Sequence, residues 1–571
     1  KMMYGGGIPL NYKRLTDAAR GLCPADVLFR GGMVLNVFSG ELQRADLAVT
    51  DGIVVGVGTG YEANSVVDVT GKTLIPGLID GHLHLESTMV TPSELVEVAV
   101  QHGTTTYLVD PHEAANVRGG EGIQYILDET EDVPANVYVM MPSCVPALPT
   151  EDNGASFGAE EMKPFLQHPR VLGLGEVMDY VSTITAEPGM RAKLDLFAGR
   201  PRDGHAPGLS GKELQAYVLS GVQTDHESST VEEMLEKHRL GIHILIREGS
   251  AARNLDTLVR GVVDNHLDTH RFSFCTDDKH IEDIRAEGHI DCCVRRAIAL
   301  GIPAKDAVQM ATINTAKQYG LERLGALAPG YQADILVLDD LDTVAISAVY
   351  YAGENVASFH AQPKLRADSD LRRTVNCRPV VPEQLNYAVG ESNPVIGLVP
   401  GQIVTVREDV ALPQENGLFL PDATYSKIAC VERHHATGKV GVGAVRGFGI
   451  CGGAVASTVG HDSHNLIVVG DNDADMLKAI DTLRACGGGY TVVSHGEVLD
   501  TVELPILGMM SDAGFDTVQK TLQRMVKKVH GLGVPEDISP FILLSFLALP
   551  VIPELRITPR GLFDVTKMSF V

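Results

Sequence analysis

At 571 residues the chain is too long for one ordinary domain, and its 44% hydrophobic residues can fill a large core. A net charge of −26 at pH 7 argues against reading nucleic acid through phosphates, which needs a basic surface; it suits a small neutral or cationic ligand, or a divalent metal. Nine scattered cysteines with no C-x-x-C pair argue against a disulfide scaffold and place the chain in a reducing, cytosolic setting.

No apolar run reaches the about 18 residues of a membrane span. The opening KMMYGGGIPL lacks the apolar core of a signal peptide. Residues 1–24 read as a lead-in with one helix around NYKRLTDAARG. From 25 to 72, β-branched residues alternate with glycine turns, and the same texture returns within 323–377. Two β segments flanking a long middle predict one small β-sandwich built from both ends.

The middle, 73–322, alternates short apolar runs with helix-like stretches. Eight runs end in polar residues: TLIPGLIDGHLHLE, TTTYLVDPHE, ANVYVMMPSCVP, VLGLGEVMD, PRDGHAPG, GVQTDHESST, GIHILIREGS and FSFCTDD. Helical stretches such as TPSELVEVAVQHG, GAEEMKPFLQHP and STVEEMLEKHRLG lie between them, several opening on Ser or Thr with Glu about three residues on. Eight strand–helix alternations are the signature of a (β/α)8 barrel. The fifth run has too little apolar content to be a strong strand. The predicted fold is therefore an α/β barrel inserted in a small β-sandwich. A further α/β domain follows over 378–571, with strands such as QIVTVREDV and NLIVVGDND and a helix at DADMLKAIDTLRACG.

The polar residues at the run ends form a constellation. They are His82 and His84, Asp110 and His112, Glu176, His205, His226, Glu248, and Asp277 with Asp278. Barrel strand ends converge at one mouth, where active sites are built. His82 and His84 can face the same way, because residues two apart on a strand share a side. Alone, an H-x-H pair or a TDD turn is weak; their occurrence in one register at successive strand ends is the signal. Imidazoles and carboxylates suit Zn²⁺, Fe²⁺ or Mn²⁺. Four histidines and two carboxylates exceed one tetrahedral ion and fit two, bridged by a carboxylate and a water-derived hydroxide. His434, His435, His461 and His464 read either as groups reaching the mouth or as loop and interface histidines.

PGLIDGHLHLESTMVTP, HGTTTYLVDPHEAANV, HAPGLSG, LGIHILIREGSAARNL, CTDDKHIEDIRAEGHID and the terminal ERHHATGKVGVGAVRGFGICGGAVASTVGHDSHNLIVVG carry a resemblance. The chain resembles the amidohydrolase superfamily and, within it, the adenine deaminase family, over nearly its whole length. The resemblance implies hydrolysis of adenine to hypoxanthine and ammonia, in purine salvage, at a binuclear centre of Mn²⁺ or Fe²⁺, with Zn²⁺ as a third option. By position it makes His82, His84, Glu176, His205, His226 and Asp277 the metal ligands. Glu176 stands where many amidohydrolases carry a carboxylated lysine, which tells against a cyclic-amide hydrolase; a deaminase of N6-substituted purines would share the motifs. Glu86, Asp110 and His112 are left as further metal or substrate contacts. Asp277 is expected to take a proton from the attacking water, Glu176 or Glu248 to protonate N1, and Asp278 to accept a ring N–H. Lys279 and Ile281 depart from the family pattern, in which Arg and Pro are expected. A purine base is the implied partner, with neither nucleic acid nor membrane, and the expected assembly is a homo-oligomer, dimer or higher.

Overall fold

The computed structural model describes residues 11–571 except 251, 400, 401 and 403. The lead-in helix forms at Tyr12–Ala19 and buries Leu15 and Ala18. The first ten residues of the expected lead-in lie outside the described residues. Two sheets follow, and only the larger combines both β segments. One, of four strands, uses only residues between Ala25 and Asp68. The other, of six strands, pairs Thr73–Pro76 antiparallel with Ile335–Asp340, so residues about 260 apart in sequence close one ladder.

Between those paired strands lie eight parallel strands. They are β1 (Leu78–Leu83), β2 (Thr104–Val109), β3 (Asn136–Met141), β4 (Val171–Val177), β5 (Arg202–Gly204), β6 (Thr224–Asp225), β7 (His243–Arg247) and β8 (Phe272–Cys275). β1 to β5 make one sheet and β6 to β8 another. Backbone hydrogen bonds join both seams. The Gln223 N–H donates to the Arg202 carbonyl at 3.0 Å, between β5 and β6. Between β8 and β1, Asp277 N–H donates to the His82 carbonyl at 3.0 Å and His84 N–H to the Asp277 carbonyl at 3.2 Å. The sheet is thereby closed into a barrel. β5 is only three residues long, as its proline- and glycine-rich sequence requires, since Pro201 and Pro207 offer no ladder donors.

Several helices start as the sequence predicts. Thr91 and Glu94 form a capping box at the head of Pro92–Gln101, and Thr230 caps Val231–Arg239 by accepting the Glu233 N–H. GAEEMKPFLQHP, expected as one helix, divides into Ala159–Met162 and a 3-10 turn at Lys163–Phe165. Pro164 has no N–H to continue the ladder.

The terminal region is built on an eight-stranded sheet. Its order is Thr405–Val410, Asn393–Leu398, Val440–Arg446, Tyr425–Val431, Leu466–Gly470, Ala454–Ser457, Gly489–Ser494, Glu497–Glu503. Every pairing is antiparallel except that between Asn393–Leu398 and Val440–Arg446. The strand expected at QIVTVREDV is described from Thr405 onward; Ile403 lies outside the described residues. Helix Asp473–Cys486 covers one face, capped by Asn472 and ended by Gly487 in the left-handed conformation. The loop between Ala454–Ser457 and Leu466–Gly470 carries His461 and His464 to the barrel mouth, where both meet Glu113. Among the described residues no helix is long and apolar enough to cross a membrane.

Candidate active site

Glu176 is the centre of the cluster. It lies in β4, almost fully buried, and its two oxygens face different partners. Oε1 is 3.0 Å from Nε2 of both His82 and His84. Those nitrogens also lie 3.5 and 3.1 Å from Asp277 Oδ1. Oε2 faces His205 Nδ1 at 2.7 Å and His226 Nε2 at 3.7 Å. One carboxylate therefore spans two ligand sets, His82–His84–Asp277 and His205–His226.

The contacts are close, yet several are not hydrogen bonds. His82 Nε2, Glu176 Oε1 and His205 Nδ1 are all buried without a hydrogen-bond partner among the described residues. Lone pairs converging on a common point without a proton between them fit a cation, and separations near 3 Å suit ligands bound at about 2.0–2.2 Å. The charges agree. Burial would lower the His82 pKa, but Glu176 and Asp277 bring it up to about 10, so the cluster demands positive charge. Burial raises the Glu176 and Asp277 carboxyls, but His82 and its neighbours in one case, and Arg247 first in the other, hold both well below the usual carboxylate range. These residues could hold a divalent metal ion.

Backbone geometry fixes these side chains. Asp277 follows β8 with φ of 57°, a left-handed conformation uncommon outside glycine and concentrated at functional positions. The two-way hydrogen bonding between Asp277 and the β1 end locks its register to His82 and His84. His84 Nδ1–H donates to the Asp110 carbonyl at 2.8 Å, which leaves Nε2 unprotonated and free to bind a cation.

The other expected residues divide. Asp110 Oδ1 and His112 Nδ1 face each other at 3.6 Å, both without hydrogen-bond partners, and His112 Nδ1 is 3.7 Å from Glu176 Oε1. Glu86 sits in the turn after β1, where its Oε1 accepts the Ala114 N–H at 3.0 Å and its buried Oε2 has no partner. Burial raises its pKa to about 7. Glu86 shares a small cavity with Ser87, Asp278 and His280, roofed by His461 and Phe546 of the terminal region. Ser87 Oγ donates to Asp278 Oδ1.

Glu248 is not brought to the cluster. Alternation along β7 turns it outward, onto Arg296 and Arg253, and turns Arg247 inward. Arg247 Nη1 donates to Asp277 Oδ2 at 2.9 Å and also bonds Glu227. Arg247 and Glu227 are therefore site residues that sequence reasoning missed, although each adjoins a residue it named. It also missed Glu113, which follows His112, and Asp462, whose Oδ1 is 3.8 Å from His112 Nε2. The four terminal histidines separate as well. His434 and His435 donate to the carbonyls of Ser463 and Asn153, while His461 and His464 both donate to Glu113. Lys279 is buried 3.9 Å from Glu287, and Ile281 opens the helix Ile281–Glu287.

A closed parallel barrel that gathers His, Asp and Glu at its C-terminal strand ends defines a metal-dependent hydrolase. Residues 73–359 match the Amidohydrolase family, and residues 402–569 match the Adenine deaminase C-terminal domain. Adenine deaminase of Desulfitobacterium hafniense (strain Y51) is 51% identical over 98% of both chains. Adenine deaminase of Clostridium acetobutylicum is 43% identical over 97% of this chain and 99% of its own, and adenine deaminase 2 of Carboxydothermus hydrogenoformans is 44% identical over 98% and 99%. The chain belongs to the adenine deaminase family of the amidohydrolases.

Proposed function

We propose that the protein hydrolyses free adenine to hypoxanthine and ammonia, a purine-salvage reaction, using two divalent ions. The observation that carries this reading is Glu176, whose two oxygens face two separate ligand sets. His82, His84 and Asp277 would hold one ion and His205 and His226 the other, with Glu176 between them. Mn²⁺ or Fe²⁺ suits a mixed imidazole–carboxylate set, with Zn²⁺ the third option. When bound, the pair would acidify the attacking water and polarise the group under attack.

The chain's own residues supply the rest. Asp277 takes the proton of the attacking water, with Arg247 fixing its second oxygen. The proton to N1 comes from Glu86 rather than Glu176 or Glu248. Glu176 has imidazoles on both oxygens, and Glu248 faces the outer helix, whereas Glu86 lines the cavity and keeps one oxygen without a hydrogen-bond partner among the described residues. Asp278, steadied by Ser87, accepts a ring N–H. A second proton transfer releases ammonia. Asp110 and His112 face the cluster rather than the cavity and are assigned as metal contacts, and Glu86 as a substrate contact.

We assign this chemistry to a barrel domain at 73–322, set in a sandwich domain formed by 25–72 and 323–377, with 378–571 as a separate roofing domain. Nine free cysteines support a cytoplasmic setting and the net charge of −26 tells against nucleic acid as partner; we take the assembly to be a homo-oligomer. The test is ammonia release from adenine, N6-methyladenine, guanine and cytosine after chelation and resupply of Mn²⁺ or Fe²⁺. Turnover of adenine, lost on chelation and restored by metal, is expected. Turnover of cytosine without adenine refutes the reading.

A further inference from the structure

Glu113, His461 and His464 form a buried group that could be taken for another metal site. The hydrogen bonds decide otherwise. The Gly460 N–H donates to His464 Nδ1 at 3.2 Å. An N–H can only donate, so Nδ1 is the unprotonated nitrogen and the proton lies on Nε2, which is given to Glu113 Oε2. A metal at Nε2 would leave His464 with no ring proton at all, which a neutral imidazole ligand does not do. The group is therefore a hydrogen-bonded relay in which Glu113 is the acceptor.

His461 is the second donor to Glu113, through Nδ1 to Oε1. Its backbone is pinned as well, its N–H donating to the Ser545 carbonyl at 2.8 Å. One face of the ring stacks on Phe546, centroids 4.8 Å apart and planes 26° off parallel. With Nδ1 committed to Glu113, Nε2 is the ring nitrogen left to meet a ligand. The ring lines the cavity that also holds Glu86 and Asp278. A carboxylate behind an imidazole fixes both tautomer and direction, and two carboxylates nearby favour the cationic form.

We propose that His461, held by Glu113, is the terminal region's hydrogen-bond donor to the bound base, its Nε2–H meeting a ring nitrogen on the N3/N9 edge while Asp278 takes the ring N–H at N7. The inference rests on the purine reading above. In the five-membered ring of adenine one nitrogen carries a proton and the other accepts one. An Asp acceptor and an imidazolium donor in the same cavity match that pair, and a free base with an unsubstituted N9 is the ligand they select. Glu113 and His464 are then positioning residues, acting through His461.

The experiment compares kcat and KM of the wild type, His461→Phe, His461→Gln and Glu113→Gln on adenine, 3-deazaadenine and 9-deazaadenine, with melting temperature and metal content measured for each. The wild type should discriminate against one deaza analogue by about 10- to 100-fold, chiefly in KM, because the analogue leaves a charged donor unpaired. His461→Phe should lose that factor on adenine and lose nothing further on the same analogue. His461→Gln, which keeps an N–H, should restore part of it. Glu113→Gln should raise KM, and combined with His461→Phe it should add little. Equal losses on adenine and both analogues, or no loss, overturn the proposal while adenine turnover by the wild type leaves the function standing. No ammonia from adenine by the metal-loaded wild type overturns both.

Discussion

Asp110, at the end of β2, accepts the backbone N–H of Glu176 in β4 through Oδ2 at 2.9 Å. The bond ties the Glu176 backbone to the end of β2 and so helps to set where its carboxylate sits. Gly175 makes it feasible: a Cβ built there would lie 2.1 Å from that same Oδ2. Gly175→Ala should expel Asp110 and loosen Glu176. A fall of about 10- to 100-fold in metal affinity is expected, as for lost supporting contacts at other metal centres. Titration of the apoenzyme with Mn²⁺ checks it; an unchanged affinity means the Asp110 bond is incidental.

Asp277→Asn keeps the shape and an oxygen for Arg247 but cannot take a proton from water. Turnover should fall by about 10²- to 10⁴-fold, the usual worth of a positioned base, with the melting temperature nearly unchanged. Near-normal turnover would remove Asp277 from its role.

Glu248 and Glu86 should part company. Glu248 is fully buried against Arg296, outside the cluster. Glu248→Gln should cost about 1–3 kcal/mol of stability from the weakened ion pair, with kcat within about twofold of wild type. Glu86→Gln should do the reverse, with kcat falling by about 10²-fold or more and stability changing little. Parallel denaturation and rate measurements on the two variants decide; a large kcat loss in Glu248→Gln would return it to the site.

His243 predicts part of the acid limb of stability. Burial in β7 lowers its pKa to about 3, and its Nε2 pairs with Ser273 Oγ at 2.8 Å. The folded state keeps it neutral, while the unfolded chain protonates near 6.5. Its contribution is therefore complete above pH 6.5 and is lost as pH falls towards 3, at about 1.4 kcal/mol per pH unit. His243→Gln should flatten the slope of melting temperature against pH over that window; an unaltered slope would assign the acid sensitivity to other groups.

Much of this was legible in one dimension. Short apolar runs alternating with helix-start signals place the strands of the barrel, and the polar residue closing each run marks its mouth. His82, His84, Glu176, His205, His226 and Asp277 could be named as candidates because a polar residue at a strand end sits at a fixed offset from its own apolar run. Glu248 shows the limit. Arg247 and Glu248 are neighbours at the end of β7, and only the register of β7 against β8 decides which faces the cluster. A slip of one residue would exchange them.

The sequence by itself determined the order of the elements, the residue types of the centre and the kind of ion they suit, since these depend on local pattern and side-chain chemistry. Only the tertiary structure decided how Glu176 divides its oxygens between two histidine pairs, and that Arg247 rather than Glu248 meets Asp277. It alone joined Glu113 to His461, 348 residues on. Contacts at that separation are set by how the terminal region packs on the barrel mouth, and no periodicity along the chain encodes them.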